Sequence, residues 1–390
     1  MAAVERAVTI EDLRQLALRR LPDFISRYVE QAAGDGGGVK RNIAAFRQYQ
    51  LVPRGLVEVT PVDTTTELFG RKYASLFGIS AVGTGGIYRR HFDEILAEVA
   101  REANLPYILS GSASASIETV ARIAPEQTWF QLYGAKTDEL TDHMIGRAAD
   151  AGIKVLVLTV DYPIRPRSEV VERTGVSAAA GPTLRNFPSL FLDALRHPAW
   201  TADYLRHGGI PKLESWAPYA PPGSSTKEVA HFYVDNWVCN STWRDVERVR
   251  QLWKGALVVK GLVHPDDASR AVQAGADAVT ISNHGGNKLD CMQGALDSLV
   301  FVRKAIGPKV RLFFDGGIRR GSDLIVAKAL GADHCFIGRA TIYGTAAGGR
   351  TGAKRAVDIL QNDLTYTMAM IGCRTNADVT REHVTGQATP

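Results

Sequence analysis

Cysteine is scarce. The chain of 390 residues holds four, Cys239, Cys291, Cys335 and Cys373, with no close spacing among them. That scatter offers neither a zinc site nor a disulfide framework and suits a reducing, cytoplasmic setting. Long apolar runs are missing too. No window approaches the roughly twenty apolar residues that a membrane-crossing helix needs. The opening "MAAVERAVTIEDLRQLALRRLPDF" is charged and helix-like, without the apolar core or cleavage signal of a secretory leader. Charge of one sign is also lacking. A net charge of +5 with dispersed Lys and Arg makes no basic face, so nucleic acid is not expected as a partner.

What is present is a pattern of short apolar runs separated by amphipathic segments. The runs are "ASLFGISA" (74–81), "PYILS" (106–110), "TWFQLY" (128–133), "KVLVLTVD" (154–161), "ALVVKG" (256–261), "ADAVTISN" (276–283), "VRLFFDGG" (310–317) and "DHCFIG" (333–338). Near-continuous apolar strands signal burial on both faces, as in parallel sheets. Between most of them lie helical patterns that open on Ser, Thr, Asp or Pro and end in Gly. Eight such runs predict an α/β fold, a (β/α)8 TIM barrel occupying 1–390 as one domain. "AGAD" (274–277) and "LGAD" (330–333) precede two strands as a weak internal repeat. Residues 1–70 read as helices plus a short hairpin, an N-terminal helical cap on one end of the barrel. The connection after strand four, 162–255, is out of proportion and holds Trp200, Trp216, Trp237, Trp243 and Trp253. Loops of this length are usually lids or binding segments. Its aromatic, mildly basic stretch at 185–210 could lie on a membrane surface, which makes a peripheral location the alternative to a purely cytoplasmic one. A lid or subunit contact is the plainer reading.

Reactive groups of such barrels stand at the C-terminal ends of the strands. Those positions hold Gly83, Ser110, Gln131 and Tyr133, Thr159 and Asp161, Lys260, Ser282 and His284, Asp315 and Arg319, and Gly338 with Arg339. Buried polar groups are costly without partners, so these must meet each other or a ligand. "DGGIRRGSD" and the "GR" after the last strand combine glycines, exposed N–H groups and guanidiniums in the two loops where barrels often hold a phosphate. Lys260 needs a negative partner. It reads as a Schiff-base lysine, a cation beside a cofactor that becomes anionic, or a core lysine paired with an acid. In "SNHGGNKLD" (282–290), His284 ends a strand with glycines behind it that leave space for a substrate. Asp161 ends another strand. An Asp bonded to an imidazole orients it and stabilises its protonated form, so His284 reads as a general base.

The chain resembles the FMN-dependent α-hydroxy acid oxidases and dehydrogenases from about residue 10 to about 380. The likeness is carried by "VDTTTELFG", "WFQLY", "LTVD", "VVKG", "SNHGG", "FFDGGIRRGSD" and "IGR". It implies FMN, with the ring along Ala81, Val82 and Gly83 and hydrogen-bonded by Ser110, Gln131 and Thr159. Lys260 and Ser282 would touch the same cofactor. Asp315, Gly316, Gly317, Arg319, Gly338 and Arg339 would hold its ribityl chain and phosphate. It further implies that His284, backed by Asp161, takes the substrate proton and that Tyr133 bonds the substrate hydroxyl. Tyr28 would help bind a carboxylate, and the protein would assemble as a homotetramer. The electron acceptor, whether oxygen, a quinone or a redox protein, stays open.

Four departures mark this chain, one being Ser112 at a position after Ser110 where the family commonly has an aromatic lid residue. The family's carboxylate-gripping Arg after "SNHGG" is Asn287, followed by Lys288. Its second active-site Arg falls on Ser168, beside Arg167 and Arg165. "SAVG" replaces the usual "APTG". A neutral amide cannot replace a bidentate guanidinium. The expectation is therefore an atypical small-molecule substrate, larger, neutral or an amine. Oxidative deamination of a peptide-derived intermediate, as in mycofactocin maturation, is the alternative. A clamp displaced to Arg167 or Lys288 is the competing view.

Overall fold

The computed structural model describes residues 3–164, 169, 187–237 and 241–386. Eight parallel strands close into a barrel: β1 (Phe77–Ile79), β2 (Tyr107–Leu109), β3 (Thr128–Leu132), β4 (Val155–Thr159), β5 (Ala256–Leu262), β6 (Ala278–Ile281), β7 (Arg311–Asp315) and β8 (His334–Ile337). Each pairs with its sequence neighbour, and Ile337 beside Ile79 closes the ring between β8 and β1. Nearly every strand residue is buried, as strands covered by helices outside and packed side chains inside must be.

Trp129 fills the barrel interior. Its ring lies 5.4 Å from Phe336, 5.9 Å from Phe313 and 5.6 Å from Phe69, centroid to centroid. Truncating so large a buried ring typically costs about 3–5 kcal/mol. Phe69 and Tyr73 come from a hairpin, Thr66–Leu68 paired with Arg71–Tyr73, that plugs the floor. Trp129 Nε1 donates to Tyr73 Oη at 3.1 Å, which satisfies the one polar atom of that ring.

The N-terminal segment does not cap one end only. Its hairpin closes the floor, while the helices Asp23–Val29 and Gly37–Ala45 lie at the mouth and supply Tyr28, Val29 and Asn42 there. Helix starts follow the capping signals. Ser116 Oγ accepts from Thr119 N at 3.1 Å and Thr137 Oγ1 from Leu140 N at 3.3 Å, satisfying N–H groups with no partner inside the helix.

The "GAD" repeat has a physical cause. Asp277 Oδ2 accepts from Leu257 N and Asp333 Oδ2 from Leu312 N, each at 2.8 Å. Arg250 and Arg303 hold the two carboxylates. The same turn, with glycine at positive φ, thus pins the start of one strand to the strand before it.

In the connection after β4 lie the helices Phe187–Arg196, Pro198–Arg206, Thr226–Asn236 and Trp243–Leu252. Its tryptophans fasten it to the barrel. Trp200 Nε1 donates to Ile87 O at 3.0 Å and Trp216 Nε1 to Gly111 O at 2.8 Å. Among the described residues no helix is long and apolar enough to cross a membrane.

Candidate active site

A cavity of about 640 Å³ opens at the C-terminal ends of the strands. It is lined by His284, Tyr133, Tyr162, Trp237 and Asn287, and by Gly316, Gly317, Arg319, Gly338 and Arg339. Ala81, Val82, Gly83 and Lys260 line it too, and Tyr28 joins from the N-terminal helices. Ser110, Gln131, Thr159 and Ser282 are buried in the strand ends beneath.

His284 follows β6 with φ at +53°, a conformation unusual for a side chain of this size. A tight local network holds it. Ser282 Oγ accepts from His284 N at 3.1 Å. The imidazole Nδ1 lies 2.9 and 3.1 Å from the two Asp161 oxygens. With Asp161 ionised, Nδ1 carries the hydrogen and Nε2 keeps its lone pair. Burial alone would raise the Asp161 carboxyl. The His284 charge and hydrogen bond, then Lys288 and Lys260, outweigh it and hold Asp161 well below the usual carboxylate range. Tyr162 Oη stands 3.4 Å from Nε2.

The second glycine of "SNHGG" serves a purpose other than the one read from sequence, while Gly285 lines the cavity. A Cβ on Gly286, at φ +79°, would run into the backbone of Gly38 and Val39. One on Gly317, at φ +83°, would strike the Asn42 carbonyl. Gly286 makes room for the helix Gly37–Ala45 rather than for a substrate.

Lys260 is paired. Its Nζ lies 2.8 Å from Ser282 Oγ and 3.1 Å from Asp315 Oδ2, and Ser282 Oγ donates to Asp315 Oδ1 at 2.5 Å. Arg339 donates to Gly285 O and Gln31 O, both at 2.8 Å. Burial, reinforced by the like charge of Arg319, depresses the Arg339 guanidinium. Neither arginine has a carboxylate within ion-pair distance among the described residues, so the cavity has positive charge to offer an anion.

Two polar atoms in the strand ends, Gln131 Nε2 and Thr159 Oγ1, are buried without a hydrogen-bond partner among the described residues. Such atoms are rare unless a ligand meets them. Unpartnered donors beside the mouth, a glycine cradle and two unneutralised guanidiniums fit a planar heteroaromatic ring carrying a phosphate. FMN meets each of these requirements.

Sequence reasoning did not single out Tyr162, which directly follows "LTVD", nor the place of Trp237, whose buried Nε1 has no partner among the described residues. Tyr133, Tyr162 and Trp237 form an edge-to-face cluster with centroids 5.0–5.5 Å apart. Only the folded chain brings these three positions together. Asn287 lines the same cavity, and its Oδ1 is buried and unpartnered among the described residues. Arg167 and Ser168 lie outside the described residues.

Fold and site together define a flavin-dependent barrel oxidoreductase. Comparison with known proteins gives its family: residues 17–386 match the FMN-dependent dehydrogenase family, and the chain belongs to it. It is therefore an FMN-dependent enzyme of the class acting on CH–OH groups. Among its relatives are (S)-mandelate dehydrogenase of Pseudomonas putida, 34% identical over 93% of this chain and 90% of that protein, and L-lactate dehydrogenase of Ectopseudomonas mendocina, 32% identical over 95% and 97%. A solved structure titled as that of the monotopic membrane protein (S)-mandelate dehydrogenase superposes with a TM-score of 0.92 at 32% identity, covering 98% of this chain and all of that one. A mandelate oxidase variant with 2-hydroxy-phenylacetamide matches with a TM-score of 0.81 at 26% identity.

Proposed function

We propose that this enzyme oxidises the carbinol centre of a 2-hydroxy acid derivative or related alcohol whose neighbouring group is neutral. The observation that carries the reading is the His284–Asp161 pair facing a cavity in which Asn287 stands after the "SNHGG" loop. In this reading Ala81, Val82, Gly83, Ser110, Gln131, Thr159, Lys260 and Ser282 hold the FMN ring. Asp315, Gly316, Gly317, Arg319, Gly338 and Arg339 hold its ribityl chain and phosphate. When bound, FMN supplies the acceptor for the two electrons of the substrate C–H bond. His284 Nε2 takes the hydroxyl proton, and Asp161 steadies the imidazolium that results. Tyr133 orients the hydroxyl, while Tyr28 and Asn287, with Arg167, receive the neighbouring group.

Asn287 decides the substrate class. A carboxylate gains from Asn287 only a neutral N–H donor and leaves its Oδ1 unpartnered, whereas a substrate N–H or O–H donor completes that oxygen. A mandelate oxidase variant binds a hydroxy amide, 2-hydroxy-phenylacetamide, a ligand of this kind. The comparisons give the deamination alternative no support. The test is anaerobic flavin reduction with lactate, glycolate and mandelate, then their amides and esters, then amines. Faster reduction by the hydroxy amides is expected, with the donor-free esters behind them. Ordinary rates with the free acids overturn the reading.

In the same proposal the chain acts as a single unit, with 1–70 as cap and 162–255 as lid, and assembles as a tetramer. A peripheral membrane contact is favoured by one observation: Phe187, Phe191, Leu192 and Leu195 of one short helix are all more than half exposed. Cosedimentation with anionic lipid vesicles, lost on Phe191→Ser with Leu195→Ser, checks it.

A further inference from the structure

Lys288 is a buried amine with nowhere ordinary to put its charge. Its side chain is 11% exposed and lies 3.8 Å from Asp161 Oδ1, beyond hydrogen-bond reach. Its Nζ has no hydrogen-bond partner among the described residues. It rests on the face of the Tyr162 ring, and Tyr162 Oη in turn meets His284 Nε2. Asp161 gives its hydrogen bonds to the imidazole. Lys288 thus touches the base from both sides, through the carboxylate behind it and the phenol in front.

Taking His284 as the base, we infer that Lys288 is a positioning residue for it, whose ammonium competes with the His284 imidazolium for the Asp161 carboxylate. One carboxylate serves two cations in a poorly solvated space, and protonation of either works against the other. The charged and titratable groups that face Lys288 are Asp161, His284 and Tyr162, with Lys260 of the adjacent strand β5 acting on the same carboxylate. Burial lowers the Lys288 ammonium to about 6, opposed by Asp161, so its charge changes in the range where a histidine base works. A neutral Lys288 leaves the full charge of Asp161 to the imidazolium. A charged Lys288 withdraws part of it.

The test follows the imidazole itself, by nitrogen-15 NMR of histidine-labelled, FMN-loaded protein. The His284 signal is assigned by its loss in His284→Gln. In the unaltered chain the signal should show two inflections with pH as Lys288 titrates beside it. In Lys288→Met a single inflection is expected at higher pH, displaced by about one unit, a tenfold change in proton affinity. In Lys288→Arg, where the charge is permanent, the midpoint should fall. A merely structural lysine predicts one inflection in the parent and no opposite displacements. That outcome, or displacement of both variants in the same direction, overturns the inference. The parent titration stands even if a variant does not fold. The measurement needs no substrate, so its failure is separable from failure of the proposed function. Persistent turnover by His284→Gln would remove the base assignment while leaving the coupling as measured.

Discussion

Asn42 and Asn283 exchange their side-chain amides reciprocally, each Nδ2 donating to the other's Oδ1 at 2.8 Å, in a site fully closed to solvent. The pair ties the helix Gly37–Ala45 to the loop that carries His284. Asn42 Oδ1 also accepts from Ala295 N. Asn42→Leu removes both bonds of the pair and leaves the Asn283 amide and Ala295 N–H short of partners. The cost expected is about 2–4 kcal/mol, from roughly 1 kcal/mol per bond plus the desolvated groups left behind. Urea unfolding should show it, together with slower flavin reduction as the His284 loop loosens.

Asp161→Asn keeps the shape and removes the charge behind the imidazole. The tautomer with Nδ1–H is no longer enforced, and an imidazolium loses its counter-charge. Flavin reduction by the best substrate should fall by about a hundredfold or more, within the range of about 10²–10⁴ that general base catalysis supplies. FMN content should be unchanged. A fall under about threefold would mean that the pair is not the proton acceptor.

Asn287→Arg restores a guanidinium after the "SNHGG" loop. If the neutral amide sets the substrate class, the variant gains about a hundredfold in the flavin-reduction efficiency of mandelate or lactate, the worth of a few kcal/mol. It loses against the corresponding amide. Equal effects on acid and amide would mean that position 287 does not read this group.

Arg339→Gln should weaken FMN binding by tenfold or more, measured by fluorescence on release of flavin. The guanidinium is buried next to Arg319 with no carboxylate at ion-pair distance among the described residues, and it bridges Gly285 O and Gln31 O. Raising the salt concentration should weaken FMN less in the variant than in the parent.

His334 gives the pH dependence of stability. It is buried among Phe313 and Phe336 with neither ring nitrogen bonded among the described residues, and burial lowers it to about 3. The unfolded chain binds a proton near 6.5 that the folded one refuses, so stability is full above that pH and is lost as pH falls towards 3. At pH 4.5 the loss amounts to about 2–3 kcal/mol from this group. Denaturant midpoints at pH 7 and 4.5 should differ less in His334→Leu. An undiminished difference would place the acid sensitivity elsewhere.

Much of the fold could be read along the chain because its signals are local. Apolar runs such as "KVLVLTVD" and "ALVVKG" report burial on both faces, and Ser116 and Thr137 announce the helices they cap. Polar residues ending those runs, Gln131, Thr159, Lys260 and Asp315, declared a site because burying them alone is costly. Gly286 misled, since the atoms that need its missing side chain belong to Gly38 and Val39, far away in sequence.

By itself the sequence determined the barrel and the flavin family and nominated His284 as the proposed base, since strand periodicity and strand-end polarity are properties of contiguous residues. Only the tertiary structure decided who meets whom at the mouth. It placed Tyr162 before the imidazole, Lys288 beside Asp161, and Asn42 against Asn283. Those contacts join segments separated by more than a hundred residues, and their distances depend on how the barrel closes and where the cap settles on it.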